Sequence, residues 1–362
     1  MVLIDPTTIP LIDFARLETD FEGVANEIKE IAATWGFLYI KNTGIQQEQI
    51  DRMFEIADVF FNKTSPEEKA STPWGSIENA GYDDRRARKQ EKRNYEEYGQ
   101  NEVTKKDDPK ESFAFRKTNS YDQPLPPTLK KVNNEIQGFM RTAHEKVALK
   151  VLACLSVSLG LPADYFPKLH DFDSPSFTTL RLLHYPGLTG DDAATPVRLP
   201  AHTDHTVVTV LFQHKVMGLQ VRPPNLTGEV LEGEQWLDAP IIPGAVLVNI
   251  GETMTFLSGG LMKSTLHRVA RSPRAEDQGK ERFSCVYFCH ANEDTKLAMV
   301  EGIQGGVKKT PPISCVTGKR VETVKDWIQH RHSRGTALAL EREEAAAKQL
   351  QAEGGLAITA AA

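Results

Sequence analysis

The chain has 362 residues, of which 40% are hydrophobic and 25% are charged, proportions that are typical of a globular protein with a sizeable core. The formal net charge of −6 gives no reason to expect nucleic acid or another polyanion as a partner. No run of about 18 apolar residues occurs, so no membrane-spanning helix is expected. The first residues also lack the basic and then apolar pattern of a secretory signal.

The cysteines favour a cytoplasmic location. None of them belongs to a C-x-x-C pair, and their spacing fits no zinc ribbon. We therefore interpret them as reduced thiols. They are Cys154, Cys285, Cys289 and Cys315.

The N-terminal region alternates short strands with amphipathic helices. IPLIDF (Ile9–Phe14) and GFLYIKN (Gly36–Asn42) are predicted as strands. Apolar residues recur at helical spacing over residues 24–35 and again over 50–61, so a helix is predicted in each stretch.

The pattern fades between Ser76 and Lys117. Within this stretch DRRARKQEKR (Asp84–Arg93) is densely basic. Most such runs are solvated surface, and a lid over a site opening is the alternative. A nucleic-acid site is not expected, because no aromatic side chains interleave with the basic ones.

A long helix is predicted after Pro127. Apolar residues keep to one face from Leu129 nearly to Leu159, and Gly160-Leu161-Pro162 ends the pattern. A helix of this length usually lies against a sheet.

From Ser174 onwards, short apolar runs alternate with Gly/Pro turns, which is typical of a sandwich or jelly roll. We expect an α+β or mainly β fold: a double-stranded β-helix (jelly-roll) core, backed by the long helix, with a mixed helical N-terminal region. The expected division is 1–120 with a candidate lid loop at 76–117, a jelly-roll core at 121–335, and an Ala/Glu-rich helix and tail at 336–362. The predicted strands are Thr179–Tyr185, Thr206–Gln213, Gly218–Arg222, Gln235–Ala239, Ala245–Gly251, Thr265–Ala270 and Arg282–Cys289.

The segment HTD (His202–Asp204) stands directly before a predicted buried strand. In an extended segment residues i and i+2 project to the same face, so His202 and Asp204 point the same way. His267 lies in the predicted strand KSTLHRV, far enough along for the chain to return to the same end. Two histidines and one carboxylate form the facial triad of non-haem Fe(II) oxygenases. Taken singly, an H-x-D pair is more often a turn, and a strand histidine is more often structural.

A second pair of polar residues follows on the last predicted strand. Arg282 and Ser284 share one face of it. A guanidinium suits a bidentate contact to a carboxylate, and a hydroxyl adds one hydrogen bond. With the phenol of Tyr185 they would clamp the far carboxylate of a keto-diacid that chelates the metal.

These motifs resemble the 2-oxoglutarate/Fe(II)-dependent dioxygenases of the isopenicillin N synthase-like superfamily over roughly residues 9–330. LRLLHYP is most similar to the thymine-hydroxylase-like and fungal natural-product branch. Leu183 departs from the asparagine of the plant flavonoid-type members, and Glu252 replaces the usual aspartate of NIGD. The motifs are IPLIDF, WGFLYIKNTGI, FFNKTSPEEK, AGY, DPKESFAF, LRLLHYP, HTD, GLQV, VLVNIGE, KSTLHRV and RFSCVYF.

The resemblance implies an oxygenase that uses Fe(II), 2-oxoglutarate and O₂, with ascorbate as an activator to test. It would oxidise an unactivated C–H bond of a small organic molecule, in secondary metabolism, and release succinate and CO₂. Hydroxylation is the default outcome; desaturation, ring expansion and cyclisation are alternatives. No oligomeric state is predicted. The open alternatives are a thymine-type nucleobase hydroxylase, a 2-oxoglutarate-independent iron oxidase on the same fold, a zinc hydrolase and a non-catalytic jelly-roll binding protein.

Substrate contacts are expected from the N-terminal half and from the barrel mouth. His205 is expected to have a structural role beside the metal or to contact substrate, and His184 is expected to be packed. The candidate substrate residues are Phe113, Phe115, Arg181 and Phe212.

Overall fold

The computed structural model describes residues 5, 7–75, 80–84, 110–117, 122–187, 197–224, 235–314 and 316–333. Most of the basic segment Asp84–Arg93, most of the candidate lid loop, the predicted helix and tail at 336–362 and Cys315 lie outside the described residues. No helix in the described parts of the chain is both long and apolar enough to cross a bilayer.

The helices lie mainly in the N-terminal half. α1 begins at an aspartate cap, because the Asp20 side chain accepts a hydrogen bond from Gly23 N, and it buries Val24, Ile28 and Ile31. The helices are α1 (Phe21–Thr34), α2 (Gln47–Lys63), α3 (Pro66–Ala70), α4 (Pro127–Lys130), α5 (Asn133–Ala143), α6 (Leu149–Ser158), α7 (Tyr165–Lys168), α8 (Glu252–Leu257) and α9 (Val324–Ser333).

The stretch predicted as one long helix has several segments. After the short α4, α5 and α6 are joined by a π-helical segment, His144–Ala148. There His144 Nδ1 lies 2.9 Å from the Tyr287 hydroxyl. Such a local widening often marks a place where a side chain needs a particular neighbour.

The strands form two sheets. The strands are β1 (Leu11–Asp13), β2 (Phe37–Lys41), β3 (Gly81–Asp84), β4 (Glu111–Arg116), β5 (Thr179–Tyr185), β6 (Val197–His202), β7 (Val208–Gln213), β8 (Leu219–Val221), β9 (Leu237–Asp238), β10 (Ala245–Ile250), β11 (His267–Ala270) and β12 (Arg282–Cys289). The large sheet has the order β1-β2-β10-β7-β12-β5-β4-β3 and the small sheet the order β6-β11-β8-β9. Only β1 and β2 pair in parallel among these strands.

The predictions for β5 and β12 are confirmed to the residue. β3, β4 and β6 were not predicted. β3 and β4 lie within the region where the pattern fades, and they form one edge of the large sheet. Since β6 carries Arg198 and Pro200 among apolar residues, it lacks a clear alternating pattern.

The two faces of the large sheet have different neighbours. The inner face turns to the small sheet: Phe37 on β2 lies 5.3 Å from the His267 ring, and a Cβ on Gly218 would come within 3.1 Å of Arg282 Cδ. The outer face is covered by helices, where Phe60 of α2 lies 5.3 Å from Phe113.

Candidate metal centre and co-substrate site

The two sheets bring His202 and His267 side by side. His202 ends β6, His267 begins β11, and the two residues are paired across these strands. Their ring centroids are 4.3 Å apart. His202 Nδ1 lies 2.9 Å from Pro200 O and His267 Nδ1 lies 3.1 Å from Thr265 O. Because a backbone carbonyl accepts only from a protonated nitrogen, each Nε2 is left as the metal-binding atom.

Asp204 presents one carboxylate oxygen to these histidines and has the other tied down. Oδ1 lies 3.7 Å from His267 Nε2 and 3.9 Å from His202 Nε2. Oδ2 accepts hydrogen bonds of 2.8 Å from both Asn249 and Thr209. The carboxylate is therefore held in one orientation by side chains of β10 and β7.

The donor set fits a divalent metal. One ligand atom from each of His202, Asp204 and His267 lies within 4.8 Å of the others. Burial and the charge of His267 lower the pKa of His202 to about 3. Burial would raise the pKa of Asp204, but the charges of His267 and His202 and the two hydrogen bonds lower it to about 2. A neutral imidazole and an ionised carboxylate at neutral pH are the forms that bind metal.

The predicted co-substrate residues also meet. Arg282 and Tyr185 are paired across β12 and β5, and the guanidinium carbon lies 5.3 Å from the Tyr185 ring centroid. Arg282 Nη1 lies 3.4 Å from Ser284 Oγ. All three residues are buried, and Arg282 Nε makes no hydrogen bond within the described part of the chain. A buried cation with an unused donor fits a carboxylate ligand.

Two further cations lie beside this group and were missed by the sequence analysis. Arg198 on β6 has its guanidinium carbon 5.4 Å from the Tyr185 ring, and Lys110 Nζ lies 5.8 Å from it. Both residues are buried. The motif RLPAHTD would have placed Arg198 on the metal-bearing strand, had β6 been recognised. Lys110 carried no signal, since it lies in the region of fading pattern.

Three of the four candidate substrate residues lie on the other face of the large sheet. Phe113 and Phe115 of β4 are fully buried, with ring centroids 4.7 Å apart, under α2. Phe212 packs 5.0 Å from Phe139 of α5. The structure does not bring these three to the metal cluster, because strand alternation turns them outward. Arg181 is the exception: it shares the inner face of β5 with Tyr185.

A second charged cluster occupies the outer face, directly behind the co-substrate group. Glu111 accepts from Lys69 Nζ at 2.9 Å and from the Tyr82 hydroxyl at 2.5 Å. His184 places Nδ1 2.9 Å from Glu111 and Nε2 2.8 Å from Glu281. Burial opposes ionisation of Glu111, but hydrogen bonds from His184, Lys69 and Tyr82 lower its pKa to about 2. His184 is packed as expected and also joins two carboxylates.

The loop after β6 is attached to α9 through Glu252. The Thr203 hydroxyl donates to Glu252 Oε1, and Arg331 Nη2 lies 3.4 Å from the same oxygen. Arg331 Nε donates to His205 Nδ1 at 3.2 Å. Glutamate at this position, in place of the shorter aspartate, thus contacts a helix near the C-terminal end of the described chain. His205 takes part in this contact beside the metal cluster.

Comparison with known proteins agrees with this geometry. Residues 176–291 match a family model described as the 2OG-Fe(II) oxygenase superfamily, and residues 9–136 match one described as non-haem dioxygenase in morphine synthesis, N-terminal. The UPF0676 protein of Schizosaccharomyces pombe is 30% identical over 336 residues, covering 89% of this chain and 91% of that protein. The 1-aminocyclopropane-1-carboxylate oxidase of Dictyostelium discoideum is 31% identical over 327 residues, covering 79% and 82%.

Solved structures resemble the whole described architecture. The crystal structure of full-length Neurospora crassa T7H with α-ketoglutarate and thymine superimposes with a TM-score of 0.72 at 27% sequence identity. The match covers 92% of this chain and 98% of that one. The similarity therefore extends over both sheets and the N-terminal helices.

Proposed function

Since the chain belongs to the 2OG-Fe(II) oxygenase superfamily, we propose that it oxidises an unactivated C–H bond of a small organic molecule at a metal held by His202, Asp204 and His267. It is a 2-oxoglutarate-dependent dioxygenase, and its cofactors are Fe(II) and 2-oxoglutarate. Hydroxylation in secondary metabolism is the outcome we propose first.

The observation that carries the proposal is the orientation of the three side chains. Each histidine has Nδ1 at a backbone carbonyl, and Asp204 has Oδ2 at two donors. The three remaining ligand atoms converge. Two histidines and one carboxylate leave open positions on a six-coordinate ion, whereas a tetrahedral zinc site would leave one. When bound, Fe(II) supplies the redox chemistry with which 2-oxoglutarate and O₂ oxidise a C–H bond.

We assign 2-oxoglutarate to the space between the metal cluster and Arg282. Arg282 would bind its far carboxylate through the planar guanidinium, and Ser284 and Tyr185 would each add a hydroxyl. Arg198 and Lys110 raise the positive potential of the same space. The charge of Lys110 also acts on His202, which supports a role for this lysine in binding the co-substrate.

The proposal is tested by anaerobic titration of the apoprotein with Fe(II) and 2-oxoglutarate. A visible metal-to-ligand charge-transfer band is expected for the unmutated protein and for the control His214→Ala, whose ring stacks on Phe54 at 4.4 Å, on the outer side. The band should be absent in His267→Ala and should need far more 2-oxoglutarate in Arg282→Ala. Absence of the band from the unmutated protein would refute the proposal.

Nucleobase hydroxylation is the second candidate, favoured by the similarity to T7H in complex with thymine. An iron oxidase on the same fold that uses no 2-oxoglutarate, the alternative named from the sequence, predicts a different product stoichiometry. The molar ratio of succinate to oxidised product distinguishes this oxidase from the proposed dioxygenase. One succinate per product supports the proposed class, and product without succinate rules it out.

A further inference from the structure

A group of polar side chains beside the metal cluster is not used by the proposed binding of iron and 2-oxoglutarate. It consists of His205, His290, His332, Arg181 and Arg331, and we call it the mouth cluster. These residues come from four places: the loop after β6, the strand β5, the residue that follows β12, and α9.

His290 is the buried member of the mouth cluster. It continues the row of inner-face residues of β12, and its backbone is held in place by the Thr178 hydroxyl, which accepts from His290 N and donates to His290 O. The side chain is buried, and Nδ1 has no hydrogen-bond partner in the described parts of the chain. Burial and the charges of His332, His205 and Arg116 lower the pKa of His290 well below its usual range.

α9 covers one side of the same space. Arg331 is fixed between Glu252 and His205, so it positions the helix. The ring of His332, the next residue of α9, lies 6.3 Å from the ring of His205. His332 is exposed and therefore borders the opening to solvent.

Arg181 lies on the opposite side of the space. Its guanidinium carbon is 4.8 Å from the Trp74 ring and 5.3 Å from the Phe288 ring. Phe288 is paired with Thr209, the residue that holds Asp204. β5 is two strands from β7, about 10 Å across the sheet. A small molecule anchored at Arg181 would therefore extend to the metal.

The charges around this space have one predominant sign. Among the described residues, the charged groups that act on His290 and His332 are the cations Arg116, Arg181 and Arg331 and the anion Asp204. Asp204 is assigned to the metal, and Glu252 is met by Arg331. The space therefore favours an anionic ligand.

We propose that the mouth cluster binds a carboxylate of the substrate, with Arg181 as its main contact and His290 and His332 as additional hydrogen-bonding groups. The substrate is then a small organic acid with an apolar part that packs on Trp74 and Phe288. This inference rests on the proposed function, since it takes the metal cluster as the reacting centre.

The test uses the full chain, loaded anaerobically with Fe(II) and saturating 2-oxoglutarate so that the Arg282 site is filled. The charge-transfer band reports separately on the proposed function. The probes are benzoate, its neutral isostere benzamide, and thymine. Binding is followed by the relaxation of the probe protons, which the paramagnetic iron enhances when a probe lies close to it.

Benzoate is expected to bind near the iron at least about tenfold more tightly than benzamide or thymine, the ratio that a charge-assisted hydrogen bond gives. Arg181→Gln should remove this preference. Lys325→Gln removes one positive charge from α9 at a side chain that pairs with Glu293 instead, and it should leave the preference unchanged.

Three outcomes would overturn the inference when the charge-transfer band is present: equal binding of benzoate and benzamide, tighter binding of thymine than of benzoate, or no binding of any probe. The proposed function would stand in each case. If Arg181→Gln shows no charge-transfer band, its active site is not assembled, and benzoate binding is measured in Arg181→Lys and His332→Ala instead. Weaker benzoate binding in either supports the inference, and unchanged binding in both contradicts it.

Discussion

Two charged clusters lie back to back at the same end of the large sheet. On the inner face are Arg282, Ser284 and Tyr185; on the outer face are Glu111, Lys69, His184 and Glu281. His184 directly precedes Tyr185, and Glu281 directly precedes Arg282. Because successive side chains of a strand point to opposite faces of the sheet, neighbouring residues belong to different clusters.

The charged groups of the outer cluster pair with one another. Two carboxylates meet a lysine and a histidine, and each of the contacts is 2.9 Å or shorter. In the inner cluster, the buried Nε of Arg282 has no hydrogen-bond partner among the described residues. A buried ion that is paired by protein groups serves stability or specificity, whereas one with unused donors indicates a ligand. Substitutions should therefore change ligand binding on the inner side and stability on the outer side.

The largest effect is expected for His267→Ala on the inner side. Loss of one of three ligands should abolish Fe(II) binding and the charge-transfer band, while the thermal midpoint of the apoprotein stays nearly unchanged. Differential scanning calorimetry of the apoprotein, run beside the anaerobic titration, checks both statements. A protein that unfolds on this substitution would show that His267 is structural, and the comparison of the two sides would fail.

Glu111→Gln tests the outer side. The substitution leaves Lys69 and His184 buried beside a neutral amide, and breaking such a pair costs about 3 to 5 kcal/mol in the free energy of unfolding. Urea denaturation measures this value. The control Glu281→Gln, at a side chain that is 43% exposed, should lose no more than about 1 kcal/mol. Equal effects of the two substitutions would contradict the assignment of the structural role to the buried carboxylate.

Acid should act through the same residue. The pKa of Glu111 is lowered to about 2 from its usual value near 4.5. A lowered pKa contributes stability above the unfolded value, and this stability is lost as the pH falls from about 4.5 towards 2. The loss is about 3 kcal/mol for such a shift. Urea denaturation at a series of pH values should show a shallower decline for Glu111→Gln than for the unmutated protein; parallel curves would exclude Glu111 as the responsible group.

Arg282→Gln should affect the inner side alone. It removes a charge-assisted contact to 2-oxoglutarate, so the affinity should fall about tenfold to a hundredfold, the equivalent of about 1.5 to 3 kcal/mol. Removing a buried charge whose Nε has no partner in the described parts of the chain should not destabilise the apoprotein. Titration of 2-oxoglutarate into the Fe(II)-loaded protein gives the first quantity and urea denaturation the second. A variant that is destabilised with unchanged 2-oxoglutarate affinity would place Arg282 with the structural residues.

Much of the inner side could be predicted from sequence. The predicted metal and co-substrate residues stand in or next to apolar runs whose spacing indicates strands, where a polar residue needs an explanation. These residues are His202, Asp204, His267, Arg282, Ser284 and Tyr185. The bounds of β5 and β12 are confirmed because both strands are mostly apolar runs, TLRLLHY and RFSCVYFC.

The aromatic candidates show where sequence reasoning stops. Phe113, Phe115 and Phe212 lie on strands, but a strand has two faces and the sequence does not say which is inner when both are buried. Phe212 is paired with Cys285, which points away from the face of Arg282 and Ser284, so Phe212 lies on the outer face. This pairing is known only from the fold. Lys110 and Arg198 were missed for a related reason, since they depend on long-range pairing of segments without a clear pattern.

Ser284→Ala is the finest test of the two-sided comparison. The hydroxyl lies 3.4 Å from Arg282 Nη1, a long contact that contributes little to the folded apoprotein. If the hydroxyl instead donates to a bound carboxylate, its removal should weaken 2-oxoglutarate binding about fivefold, close to 1 kcal/mol. Ser112→Ala, at another buried serine, on β4, is the matched control and should leave the affinity unchanged. Because the predicted change is small, it is best measured as a ratio of the two variants in parallel titrations. An equal affinity in both would remove Ser284 from the co-substrate site and leave Arg282 and Tyr185 as its remaining polar contacts.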